Sequence, residues 1–257
     1  FAHDQAVEHF EQVMVLEATH RRFVGAVIDV AMVQESLGDE LLMLRRWAAA
    51  EASFRTSLDL VAADRVAPAR LLRKLARVEE RQSRYAEAVR RLQSAEAALR
   101  EPDTDAPSAW WHEWIDIQIA LSFVHYWQGD LPGMTAVDSR LDPVFETWGT
   151  PIQCSQVHAA RARSGLRQTG YRPDAATIAS AERAVATLEG RPDEFLLAET
   201  QIHAYQTAIA PDAVAFMHHR VADLEFGQVF QPVVESGLLL GLAPGAAGRP
   251  GEQFGFG

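Results

Sequence analysis

The sequence predicts an all-α fold, an α-solenoid of antiparallel helix pairs. Three observations predict it. Apolar residues recur at helical spacing through three long stretches. Each stretch is broken by a short polar turn followed by an aromatic or a leucine. The three layouts also fall into register with one another at an interval suited to two-helix repeats. A single helix pair cannot bury its apolar faces alone; stacked pairs can, and stacking leaves a concave surface.

The clearest stretch is Val33–Leu58, with Leu37-Gly38 midway along a first helix, Trp47 opening a second, and Ala50, Phe54 and Leu58 at i, i+4, i+8. The next is Arg70–Leu99, with Leu75-Ala76 in place of Leu37-Gly38, Tyr85 in place of Trp47, and the stripe Ala88, Leu92, Ala95. The third is Ile115–Leu141, with Leu121-Ser122, the turn Gln128-Gly129-Asp130, then Leu131, Met134 and Leu141. Small residues let two helices approach, and a large residue four positions on fills the gap above them. The markers Trp47, Tyr85 and Leu131 lie roughly 38 and 46 residues apart, against about 34 for the tightest two-helix repeats. The surplus falls in loops, such as Glu101–Ser108 with its two prolines and three acids.

Phe1–Val13 reads as the second half of another pair, with Ala6 and Phe10 in register. The first residues lack the basic and apolar regions of a signal peptide, and the chain is expected to begin inside a longer protein. Repeat helices are expected across 1–210. Residues 211–257 read as a divergent cap, with helices at Pro211–Phe226 and Val229–Leu242, and a Gly/Pro/Ala tail.

These residues resemble the tetratricopeptide repeat. Ala76 departs from it in the glycine position, and Asp138 stands where an aromatic is expected. Trp110–Asp130, together with LDPVFETWGTPIQCSQVHAARA and TGYRPDAATIASAERAVATLEG, is similar to the repeat region of large bacterial regulators. These are signal-transduction ATPases, some fused to a class III adenylate/guanylate cyclase domain. The similarity covers roughly Arg46–His203 and implies a sensor or scaffold segment. The regulators' nucleotide-binding and cyclase domains have no counterpart in this sequence, so their activities do not carry over.

Net charge is −11, with 35 acidic against 24 basic residues, which disfavours nucleic-acid partners. No run of eighteen apolar residues exists to span a membrane. Cys154 is the single cysteine, in keeping with a reducing cytoplasm. The glycines of 241–257 come without a lysine or a following helix and make no phosphate loop. His3 and His9 are off the spacing of a shared metal site, and His125, His158, His218 and His219 read as ordinary surface or core histidines. Cys154 reads as a structural thiol. No catalytic set, metal or cofactor is expected.

Two stripes remain. Arg70, Arg73, Arg77 and Arg81 share one helix face, either as a solvated face laced to acids such as Glu35, Asp39 and Asp116, or as a clamp for an acidic peptide. Arg73 and Arg77 are both expected at the surface. Trp110, Trp111, Trp114, Phe123, Tyr126 and Trp127 form core between repeats, or in part an interface groove, with Phe123, Tyr126 and Trp127 turned inward on the concave side. The function so predicted is an interaction and sensor module that binds a protein or peptide partner, or other domains of its own parent protein, in that groove. The alternative is a small-molecule effector held by the aromatic segment.

Overall fold

The computed structural model describes residues 2–20, 29–61, 66–100, 107–170 and 172–188. All of their regular structure is helical, with no strand among the described residues. The helices are α1 (Ala2–His20), α2 (Val30–Met43), α3 (Trp47–Leu60), α4 (Val66–Arg81), α5 (Tyr85–Leu99), α6 (Ser108–Gln128), α7 (Leu131–Leu141), the single turn α8 (Phe145–Trp148), α9 (Pro151–Gln168) and α10 (Ala175–Ala186). Trp47, Tyr85 and Leu131 are the first residues of α3, α5 and α7, as expected from sequence. Ser108, read as loop, opens α6 behind Pro107. Residues 101–106, His203, His218, His219, the helices expected beyond Pro211, the tail and the domain boundary at 210 lie outside the described residues.

Three turns repeat one backbone device. After α2, the Arg46 N–H donates to Leu41 O at 2.9 Å and the Arg45 N–H to Leu42 O at 3.0 Å. After α4, Arg84 and Ser83 donate to Glu79 O and Glu80 O at 2.9 and 2.8 Å. After α6, Asp130 and Gly129 donate to His125 O and Tyr126 O at 2.9 and 3.1 Å. Each is a Schellman turn, and its pivot residue is left-handed, at φ 60° for Arg45, 59° for Ser83 and 71° for Gly129. Only the third uses glycine, the residue that adopts this conformation without strain.

Helix starts are signed in the sequence as well. Asp29, Asp130 and Asp174 accept from the backbone N–H three residues on, Met32, Gly133 and Thr177, at 3.2, 3.0 and 2.8 Å. Thr150 and Gln153 exchange side-chain and backbone bonds of 3.0 and 3.2 Å around Pro151, a capping box that fixes the start of α9.

By contacts the chain divides into two compact units, one ending at Ala160 and the other starting at Arg161. In the first unit α2 packs on α3 and α4 on α5. Val7 of α1 joins Leu37, Leu41, Ala50, Phe54, Leu71, Leu75 and Val78 in one apolar cluster. A second runs from Ala69, Ala76, Ala88 and Leu92 to Ile115, Leu121, Val137 and Phe145. Helix α4 serves both, Leu71, Leu75 and Val78 in one and Ala69 and Ala76 in the other. In the second unit the end of α9 meets α10, where a Cβ on Gly165 would lie 2.3 Å from Thr177 Oγ1.

Gly38 is the tightest of these approaches in the first helix pair. A Cβ there would lie 2.5 Å from the ring of Phe54, which is fully buried and cannot swing away. In the next pair the equivalent positions hold Ala76 and Leu92, a larger residue against a smaller one. Gly38→Ala is therefore expected to destabilise by about 1–3 kcal/mol. Adding Phe54→Leu should return much of that loss. Thermal melts of the two single variants and the double variant give the coupling directly; additive losses would mean that the two residues do not meet.

Candidate functional site

The face carrying the arginine stripe is built from α2, α4 and α6. Glu35 of α2 accepts both Nε and Nη2 of Arg70 at 2.7 and 2.8 Å. One turn on, Asp39 accepts Lys74 Nζ at 2.6 Å, and Lys74 also lies 2.7 Å from Glu35. Both cross-helix steps span 35 residues, so α2 and α4 run in the same direction. On its other flank α4 sends Arg73 to Glu113 of α6, Nε at 2.6 Å and Nη2 at 3.0 Å, with Asp116 3.3 Å away. Gln153 of α9 then donates to Asp116 Oδ1 and to His112 O, each at 2.7 Å. These side chains form a polar ladder from α2 through α4 and α6 to α9.

The stripe therefore splits. Arg70 and Arg73 are committed within the chain. Arg73 in particular is not the surface residue expected from sequence: its side chain keeps 20% exposure, and Glu113 keeps 5%. The reason is that α6 approaches α4 closely enough to cover it with two carboxylates. Arg77 and Arg81, further along α4, reach solvent and have no hydrogen bond or ion pair among the described residues. Burial pushes the Arg77 guanidinium pKa down, and Arg81 adds to that push.

The aromatic segment splits in the same way. Trp110 is buried and donates its indole N–H to Leu99 O at 3.0 Å. Trp114 donates to Glu96 Oε1 at 3.1 Å and lies under Arg140, which is itself paired with Glu96. Trp111 stacks on Trp148, ring centroids 5.4 Å apart. These indoles knit α5, α6, α7 and α8 together. Near the C-terminal end of α6, Trp127 is 37% exposed and meets Phe123 and Tyr126 edge-on at 5.8 and 5.5 Å. Phe123 and Tyr126 are half-buried.

The remaining reactive groups are occupied in other ways. Cys154 is half-buried and donates to Phe145 O at 3.3 Å; burial, then the Glu146 carboxylate, pushes its thiol pKa up. His3 meets Glu40 at 2.5 Å, His125 Nδ1 lies 2.8 Å from Asp130 without the geometry of a hydrogen bond, and His158 packs its ring against Phe145. No group of His, Cys, Asp and Glu able to hold a metal exists among the described residues. No described helix is long and apolar enough to cross a membrane.

No protein-family model matches the chain, and a search of curated proteins finds no match to it. The functional reading therefore rests on the residues themselves.

The ladder carries two expectations. Removing one partner of a buried pair strands the other, so Arg73→Ala should cost about 3 kcal/mol, while Arg77→Ala should stay within about 0.5 kcal/mol. Chemical denaturation of the two variants checks the split. Glu35 is held at a pKa of about 2, below its ordinary 4.5: burial pushes it up, and the stronger combined pull of Arg70 and Lys74 brings it down. A depressed carboxyl stabilises the fold above its unfolded pKa, and that stability is lost as pH falls through the folded value. Melting temperature should therefore drop between pH 4.5 and about 2, and drop less in Glu35→Gln, which has no carboxyl to protonate.

Proposed function

We propose that the chain is an interaction module of the tetratricopeptide-like kind, which binds an acidic protein segment carrying an apolar anchor. The carrying observation is the pair Arg77 and Arg81: two exposed guanidiniums that feel Glu80 of the same helix but make no hydrogen bond or close ion pair among the described residues, in a chain of net charge −11 whose neighbouring Arg70 and Arg73 are committed to carboxylates. Neither is gripped at two points by a carboxylate as Arg70 and Arg73 are, so both keep donors for a partner that brings its own. With α6 taken alongside α4 in the same direction, as in the proposed stacking, the offset of 40 residues between Arg73 and Glu113 sets Arg81 about level with Leu121. That lies within two turns of Phe123 and Trp127, the anchor site in this reading.

The stacking of pairs into a superhelix, the concave groove, a cytoplasmic setting and descent from a bacterial signalling regulator belong to the same proposal. The side-by-side first helices α2 and α4 and the three matching turns support the stacking, and the single cysteine is in keeping with a reducing setting. The reading in which an effector fills the aromatic segment has less support, because Trp110 and Trp114 use their indole N–H groups inside the chain.

Titration calorimetry against a synthetic peptide of glutamates around a single leucine, at two salt concentrations, tests the proposal. Arg77→Glu with Arg81→Glu should weaken binding by about 2–5 kcal/mol if the contacts are desolvated. Trp127→Ala should weaken it without changing its salt dependence. A peptide that binds parent and double variant equally, with no response to salt, would return both arginines to a solvated helix face.

A further inference from the structure

The three turns that share one backbone device also mark one equivalent surface position. Two residues before the left-handed pivot stands Met43 in α2, Arg81 in α4 and Trp127 in α6. All three reach solvent: Met43 is 64% exposed, Trp127 is 37% exposed, and Arg81 is open as well. A single exposed methionine is ordinary on a protein surface. Met43 differs because the polar ladder lays α2 beside α4 and α4 beside α6, so its neighbours in the row are Arg81 and then Trp127. The charged residues around Met43 are engaged elsewhere. Asp39 holds Lys74, Glu40 meets His3, Arg46 is paired with Asp4, and Arg45 lies over the ring of Trp47. The α2 step therefore offers apolar contact, the α4 step offers the guanidiniums of Arg77 and Arg81, and the α6 step offers the rings of Phe123 and Trp127.

We propose that Met43, Arg81 and Trp127 form one docking row for an extended protein segment with acidic residues at its middle and an apolar anchor at each end. The inference rests on the acidic-segment reading above and adds to it the second anchor, at Met43. An unbranched thioether suits that role, since it moulds itself to apolar side chains of different shape. Length follows from the same geometry. Helices packed side by side lie about 8–10 Å apart. The ladder offsets are 35 and 40 residues while the turns recur at 38 and 46, so from α2 to α6 the row also climbs nine residues along the helix axes, about 14 Å, with α6 running as in the proposed stacking. The ends of the row then stand about 20–25 Å apart, a distance that an extended chain covers in about seven residues.

Calorimetry on the full chain tests the row with two synthetic peptides of equal charge, a run of glutamates with leucine at one end and the same run with leucine at both ends, about seven residues apart. The two-anchor peptide is expected to bind about tenfold more tightly, the gain from burying one further apolar side chain. Met43→Ser should remove that gain and leave the affinity for the one-anchor peptide unchanged. Met32→Ser, at a methionine 62% exposed in the first turn of the same helix, should change neither affinity. Equal affinities of the two peptides for the parent protein overturn the second anchor and leave the acidic-segment reading in place. A gain that survives Met43→Ser, or that Met32→Ser removes equally, overturns the row as well. Binding of neither peptide overturns both.

Discussion

The structure of the first unit depends on how α4 is held from both flanks by charge. Its apolar side chains reach two hydrophobic clusters, and its cations reach carboxylates on α2 and α6. Hydrophobic contact has no direction and would allow the helices to slide along one another. A guanidinium gripping a carboxylate at two points does not. Arg70 on Glu35 and Arg73 on Glu113 therefore fix the lengthwise position of three helices, and Lys74 on Asp39 repeats the α2–α4 register one turn further on. Little of this adds net stability, because desolvating such groups costs nearly what their attraction returns. What it contributes is a single register.

That register governs the candidate face. Arg73 is covered because α6 comes close at Glu113 and Asp116. Arg77, one turn later, has passed those carboxylates and stands open. The same helix thus changes from structural to available cation within one turn, with no change in residue type. On α6 the aromatic residues follow a similar gradient, from the buried, hydrogen-bonded Trp110 to the exposed Trp127.

Much of this was legible in the sequence. Helix pairs and their turns follow from apolar spacing and from the marker residues Trp47, Tyr85 and Leu131, and the lacing of the stripe to Glu35 and Asp116 follows from charge at helical intervals. Glu113, Lys74 and Gln153 were not read as members of the ladder. Which acid meets which base depends on the offset between helices, 35 residues in one step and 40 in the next, and loop length sets that offset. The turns at Arg45 and Ser83 carry no glycine, so the backbone device was invisible even where the turn was placed. The approach of α9 to α10 was missed as well, because Gly165 faces a threonine rather than the aromatic or leucine that marks the earlier pairs.

The alternation of sign along the ladder has a consequence for how such a chain can grow. Along α2, α4 and α6 the facing charges run acidic, basic, acidic. Repeat arrays lengthen and shorten by duplication or loss of whole units. Doubling the α4–α5 unit alone would set one arginine row against another, and losing it would set Glu35 and Asp39 against Glu113 and Asp116. Each of these events brings like charges together at a partly buried joint, where repulsion is strongest. Duplicating two consecutive units keeps opposite signs in contact throughout. Among α2 to α6, a duplication of four helices is thus the one that would keep every step of the ladder between opposite charges.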